Sequence, residues 1–241
     1  DEQARFGFAI AHALDSAAPA VNDLAEGLNK KVDIIVQALT GARKPLIVTG
    51  SNAGSEAIIE AAANIAKALK GRGSDVGITF VAGAANSMGL AMIGGGSLDQ
   101  ALEQLASGAA DTAIVMENDL YRHAPAAQVD AALAKVNNLI VADHQRTAIM
   151  DKANLILSSA SFAESDGTLI NQEGRAQRFF QVYDPAYYDD AKKNQFTVML
   201  ESWRWMHSLH STYTSRHVDW TQLDDVIAAC VAALPQLQGI V

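Results

Sequence analysis

The sequence predicts a doubly wound α/β fold: a mainly parallel sheet flanked by helices, followed by a long ordered loop and two C-terminal helices. Three observations predict it. Short β-branched runs alternate with helical periods between residues 31 and 160. Those runs are apolar with little alternation, the pattern of strands buried on both faces of a parallel sheet. From residue 161 to 188 no period is sustained, and helical stripes return only near the end. Two regions are expected: residues 1–160 as the α/β domain, and residues 161–241 as a loop and helices packed on it.

The strands are expected at 45–49, 76–81, 111–116, 139–142 and 154–157. Between the first two, Ile58, Ala61, Ala62, Ile65 and Leu69 fall on one helical stripe. Leu98, Ala101, Leu102 and Leu105 repeat the stripe in a helix that opens with the capping-box pair Ser97 and Gln100 and stops at Gly108. The next helix, at 125–136, begins with Pro125, whose fixed φ suits a first turn. A short helical turn joins the last two strands. Helices at 201–213 and 221–234 close the chain; the second places Leu223, Val226, Ile227, Cys230, Val231 and Leu234 on one stripe and ends at Pro235.

The composition excludes several classes of function. Of 241 residues, 49% are hydrophobic and 19% charged, enough apolar material for a full core. Acidic residues outnumber basic ones 27 to 18, a net charge of −9 that repels phosphate backbones and anionic lipid. Apolar runs stop after a handful of residues, far short of the roughly 18 that a spanning helix requires, so no direct membrane insertion is expected. The single cysteine, Cys230, allows no internal disulfide and no cysteine metal cage, which suits a reducing compartment. The chain opens at Asp1 with no basic segment leading into an apolar one. It reads as an excised piece without a signal peptide.

Sheets of this kind bind ligands beyond the carboxyl ends of their strands. Those ends carry Gly50, Ser51, Asn52, Ala53 and Gly54 after the first strand, Glu117, Asn118 and Asp119 after the third, and Asp143, His144, Gln145 and Arg146 after the fourth. The glycine run offers amides to a phosphate; a tight βα turn explains the same residues, and no lysine follows as in a P-loop. Gly94, Gly95 and Gly96 suit a hinge into the next helix. Glu117 and Asp119, with Glu164 and Asp166, are candidate acid/base pairs, but acids at strand ends also cap helices. His207 and His210 have the spacing of two metal ligands on a helix without a recognisable third, and a packed amphipathic helix accounts for them. Arg175, Arg178, Phe179, Phe180, Tyr183, Tyr187 and Tyr188 form an aromatic and basic cluster whose composition suits a protein interface or packing on its own domain.

One stretch is specific. Ala163, Glu164, Ser165, Asp166, Gly167 and Thr168, followed by Asn171, Gln172, Glu173, Gly174, Arg175, Ala176 and Gln177, resemble the signature of molybdopterin oxidoreductases. The likeness extends to Asp143, Thr147, Ala148 and the run 153–157, with Asn154 where an Asp is usual, and to the runs 44–50 and 85–89. Within that family, the runs 117–123 and 179–188 are similar to the large iron–sulfur G subunits of bacterial respiratory NADH:quinone oxidoreductase, complex I.

The resemblance implies a piece of a peripheral-arm subunit, on the cytoplasmic side of the inner membrane and beside other peripheral-arm subunits. The complex moves electrons from NADH to quinone, coupled to proton translocation. Its iron–sulfur clusters belong to a part N-terminal to this one, and this region is a scaffold with no catalytic, cofactor-binding or metal-binding residue of its own. Pterin-binding relatives carry Gly-x-Asn-Pro after the third strand, where this chain has Met116, Glu117, Asn118 and Asp119; carboxylates facing a phosphate repel it unless a cation intervenes. The signature keeps a structural use: Glu173 and Arg175 are expected to hydrogen-bond within the loop, with Gly167 and Gly174 at turns closed to other residues. Two rival readings remain. One is the pterin-binding portion of a working molybdoenzyme of formate dehydrogenase or nitrate reductase type, lined by 50–54 and 164–177. The other is a stand-alone nucleotide-binding domain, weakened by the absence of GxGxxG.

Overall fold

The structure, a computed structural model, describes residues 2–184, 199–214 and 218–240. In chain order the elements are α1 (Glu2–Leu14), α2 (Leu28–Gly41), β1 (Leu46–Gly50), α3 (Glu56–Gly71), β2 (Gly77–Val81), α4 (Ser87–Ile93), α5 (Leu98–Ala106), β3 (Thr112–Met116), α6 (Ala126–Leu133), β4 (Asn138–Asp143), β5 (Leu155–Ser158), β6 (Gly167–Ile170), β7 (Ala176–Phe179), α7 (Ser202–Thr214) and α8 (Leu223–Ala233). All five expected parallel strands form, each within a residue or two of its expected ends. They are shared between two compact units, residues 1–89 with 170–175, and residues 90–169 with 176–241. The first division thus falls at 89/90, whereas the lapse of helical period in the sequence comes at 160/161.

In the first unit β1 and β2 pair in parallel, Leu46 opposite Gly77 through Gly50 opposite Val81. One face of this ribbon carries Ile47 into a core with α1, α2 and α3 built on Ile10, Leu14, Val32, Ile65 and Leu69. The α1–α3 contact is made of small residues. Ala4, Ala11 and Ala61 are buried, and a Cβ on Gly7 would sit 2.9 Å from that of Ala61, so the two backbones approach closely. At the far end the Arg72 guanidinium donates to the Leu14 carbonyl at 2.9 Å. Helices α1 and α2 fall outside the expected elements; in α1 the alanines that face α3 give little hydrophobic contrast.

In the second unit three parallel strands run in the order β3-β4-β5, with Val115 opposite Val141 and Val141 opposite Ile156. Val115, Leu139 and Val141 pack with Leu102 of α5, Val129 and Leu133 of α6 and Ile149 of the 3-10 turn Ala148–Lys152. The capping box of α5 forms as its sequence dictates: Ser97 Oγ accepts the Gln100 amide at 3.2 Å, and Gln100 Oε1 accepts the Ser97 amide at 3.0 Å. α7 packs against β4.

Two further features differ from the sequence reading. The long loop contains the two-stranded β6-β7 hairpin, whose four-residue strands are too short to reveal a period. The parallel strands are also not buried on both faces. Leu46 and Val48 are 61% and 60% exposed, and Ile114 and Met116 are each 49% exposed. Each sheet covers one face with its helices and leaves apolar side chains on the other.

Candidate functional site

The carboxyl ends of the parallel strands are the places to look for a ligand, and each unit has its own. In the first unit β1 ends at Gly50 against the end of β2. A Cβ at Gly50 would lie 2.1 Å from the Val81 carbonyl oxygen, so only glycine lets the two backbones approach. A 3-10 turn, Ser51–Ala53, follows. Gly54 closes it at φ +60, its amide donating to the Ser51 carbonyl at 3.0 Å. α3 then begins with an acid, Glu56, which a helix N-terminus favours but a bound phosphate does not. The Thr49 hydroxyl is buried here without a partner among the described residues. The geometry is that of a tight βα turn.

The second unit's edge is built from acids and chain. Glu117 follows β3 and donates its amide to the Ala142 carbonyl at 2.7 Å, extending the ladder. Its backbone is left-handed, φ +48. The Glu117 carboxylate accepts a hydrogen bond from the buried hydroxyl of Ser202, the first residue of α7. At the other side of the sheet Ser159 pairs with Leu200, Ala160 donates its amide to the Leu200 carbonyl at 2.9 Å, and the Trp205 indole donates to the Ser158 carbonyl at 2.8 Å. Residues 200–202 therefore reach from the end of β5 to the end of β3, and Trp205, one turn into α7, returns to the end of β5. Between them Asp143 of β4 is buried, accepting the Gln145 amide at 3.0 Å with His144 Nδ1 at 3.3 Å.

The remaining candidate acids hold backbone amides. Asp119 accepts the Tyr121 amide at 3.2 Å and caps the turn Leu120–Arg122. Glu164 accepts the Ser161 hydroxyl at 2.6 Å and its amide at 3.0 Å. These bonds, the hydroxyl's first, hold its carboxyl below the usual glutamate range against a smaller opposing effect of burial. Asp166 accepts the Gln181 amide at 2.7 Å, while its own amide donates to Glu201 at 3.2 Å. The nearby cations are already engaged, Arg204 with Glu201 at 2.7 Å and Arg146 with Asp151 at 2.6 Å. Asp119, Glu164 and Asp166 thus do the capping work that strand-end carboxylates commonly do, whereas the Glu117 carboxylate holds a side-chain hydroxyl.

The remaining candidates separate. His207 donates through Nε2 to the Val218 carbonyl at 2.7 Å and lies 5.7 Å from the Trp220 ring, while His210 is exposed. Among the described residues no group of three or more His, Cys, Asp or Glu side chains could hold a metal ion. Arg178 pairs with Asp224 at 2.6 Å and stacks over Phe180 at 5.3 Å; Tyr183 is exposed, and Tyr187 and Tyr188 lie outside the described residues.

The signature is ordered by its asparagine. Asn171 Oδ1 accepts the amides of Glu173 and Arg175 at 3.0 and 2.9 Å, and Gly174, at φ +79, donates its amide to the Asn171 carbonyl at 2.9 Å. Among the described residues the expected bonds from the Glu173 and Arg175 side chains do not form, because both residues are exposed at the tip of the turn. Gly174 is the left-handed turn residue expected. Gly167 is needed for space instead: a Cβ there would meet the Phe179 ring at 2.2 Å. Sequence reasoning missed Ser202, whose only local signal is its place just before a helical stripe. It also missed Asn86, which accepts the Ile170 amide at 2.8 Å from 84 residues away.

A family model described as molybdopterin oxidoreductase matches residues 8–194. The chain is 81% identical over 242 aligned residues to the G subunit of NADH-quinone oxidoreductase from Yersinia pestis, 66% over 240 to that of Escherichia coli strain K12 and 54% over 238 to that of Pseudomonas putida. The alignments cover 100%, 100% and 99% of this chain and 26% of each relative, so the chain spans about a quarter of the length of the curated relatives it matches. On the matched residues, the signature hairpin and the parallel α/β units, this chain belongs to the molybdopterin oxidoreductase family.

Proposed function

We propose that this chain is a scaffold region of a complex I G subunit. The whole complex passes electrons from NADH to quinone, coupled to proton translocation, and this region supplies no redox centre to that path. The observation that carries the assignment is 81% identity to a protein named as the G subunit of NADH-quinone oxidoreductase, sustained along the whole chain. Iron–sulfur clusters belong to a part of the subunit N-terminal to this one, and the partners are other peripheral-arm subunits on the cytoplasmic side of the bacterial inner membrane. Among the described residues no helix is long and apolar enough to cross a membrane, in keeping with a peripheral place. The open apolar faces at Leu46 and Val48, and at Ile114 and Met116, support a role in packing: strands with apolar residues on both faces are those that neighbours cover on both sides.

The family implies a pterin cofactor, and the residues of the second unit's edge do not fit its phosphates. Glu117, Asp143 and Glu164 stand where an anion would approach, Arg146 and Arg204 are already paired, and residues 200–205 lie across the edge. A carboxylate meeting a phosphate in a partly dry site repels it by several kcal/mol at an effective dielectric of about 20. No catalytic, cofactor-binding or metal-binding residue is assigned to this chain. The test is elemental analysis of the purified complex for molybdenum and tungsten, with pterin fluorescence of an oxidised extract. Both are expected to be substoichiometric; a stoichiometric pterin or either metal would favour a working molybdoenzyme and overturn the scaffold reading.

A further inference from the structure

We infer that Glu117 is a positioning residue that fastens α7 across the carboxyl edge of the β3-β4-β5 sheet, and that a left-handed backbone is tolerated at this position for the sake of that bond. Among the described residues two non-glycine positions have positive φ, Asp23 at +58 and Glu117 at +48. Aspartate visits this region because its short side chain bonds its own backbone. Glutamate has no such local partner and its Cβ is strained there, so glycine would be the residue of choice if backbone comfort alone decided.

Glu117 instead sends its carboxylate to Ser202, 85 positions away and 8% exposed. The turn places that carboxylate at the sheet edge, where it meets the first residue of α7. Three other contacts join the same segment to the sheet and its flanking loop: Leu200 with Ser158 and Ala160, Trp205 with Ser158, and Glu201 with the Asp166 amide. The first two are gathered at the β5 side. Among the described residues Glu117 makes the hydrogen bond that ties this segment to the β3 side, and without it the start of α7 keeps its packing on β4 and its hydrogen bonds at the β5 side. A buried hydroxyl that loses a charged acceptor is then left unsatisfied, a large local cost. The inference stands on this geometry and holds whether or not the complex carries a pterin.

The test is hydrogen exchange of the α7 amides in the full-length subunit within its complex, for Glu117→Gly, Ser202→Ala, the double variant and Glu117→Gln. Exchange in Glu117→Gly and Ser202→Ala is expected to be about tenfold faster or more, the loss of one charge-assisted hydrogen bond. The double variant is expected to be no faster than either single one. Glu117→Gln is expected to stay within about threefold of the parent, because an amide oxygen still accepts the hydroxyl. Unchanged or slower exchange in Glu117→Gly would show that strain relief is the whole effect and overturn the inference. Additive single effects, or Glu117→Gln as fast as Glu117→Gly, would overturn it too.

Discussion

The two units end their parallel strands in opposite ways. In the first, β1 stops at a glycine whose absent side chain lets two backbones meet, and the next helix follows after a short turn. In the second, β3 is followed by a glutamate whose side chain reaches a helix 85 residues later. The first arrangement is held by what is missing and stays local. The second is held by side-chain acceptors and depends on chain brought back from far away. A shared strand-loop-helix plan therefore does not fix the chemistry of its edge. One edge is closed by backbone proximity, the other by carboxylates that satisfy amides and a hydroxyl.

The strongest way to break this contrast is Gly50→Ala. Its methyl would meet the Val81 carbonyl oxygen at 2.1 Å, and because the obstacle is backbone the strands must separate. A loss of about 3 kcal/mol is expected, read as faster hydrogen exchange in β1, β2 and α3 with the β3-β4-β5 peptides unchanged. Equal loosening of both units would show that they do not respond separately.

In the second unit, Ser97→Ala removes a formed capping box and is expected to cost about 1 kcal/mol, seen in denaturant unfolding and in exchange at the start of α5. Asn154 sharpens the side-chain half of the comparison. Its Oδ1 accepts the Leu139 amide at 2.7 Å, so Asn154→Leu is expected to cost about 1 kcal/mol, whereas Asn154→Asp, which keeps an acceptor, should stay within about 0.5 kcal/mol of the parent. A costly Asn154→Asp would mean that the amide group, and not the oxygen, matters.

The smallest effect is the acid dependence of Glu164. Its folded carboxyl titrates below the ordinary glutamate value because Ser161 bonds its charged form. Its contribution is therefore complete above the unfolded value and is lost as pH falls through the lowered folded one. The stability difference between the parent and Glu164→Gln, followed by denaturant midpoint, should be constant near neutrality and shrink in acid. A difference that grew on acidification would reverse the assignment.

Much of the fold was legible in the sequence because it is written over short spans. Leu98 to Leu105 carries its own stripe and its own cap; β1 to β5 announce themselves as apolar runs bounded by turn residues. α1 was not legible, since Ala4, Gly7 and Ala11 earn their place by letting α3 approach, and small size is not a periodic signal. The β6-β7 hairpin was hidden because its strands are four residues long. For the candidate edge, the acids were visible and their capping role was one of two readings. Ser202 was not, as nothing near it in the chain points to Glu117.

The sequence by itself determined the order and type of most elements, the absence of a cysteine cage, the acidic character of the strand ends and the family signature, all properties of residues near one another or of composition. Only the tertiary structure decided that five parallel strands form two separate sheets, that Gly50 serves Val81 and Gly167 serves Phe179, and that the edge beyond β3 is crossed by the start of α7. These depend on contacts between residues 12 to 85 positions apart. Such contacts are chosen by the packing of whole elements, and no local pattern encodes them.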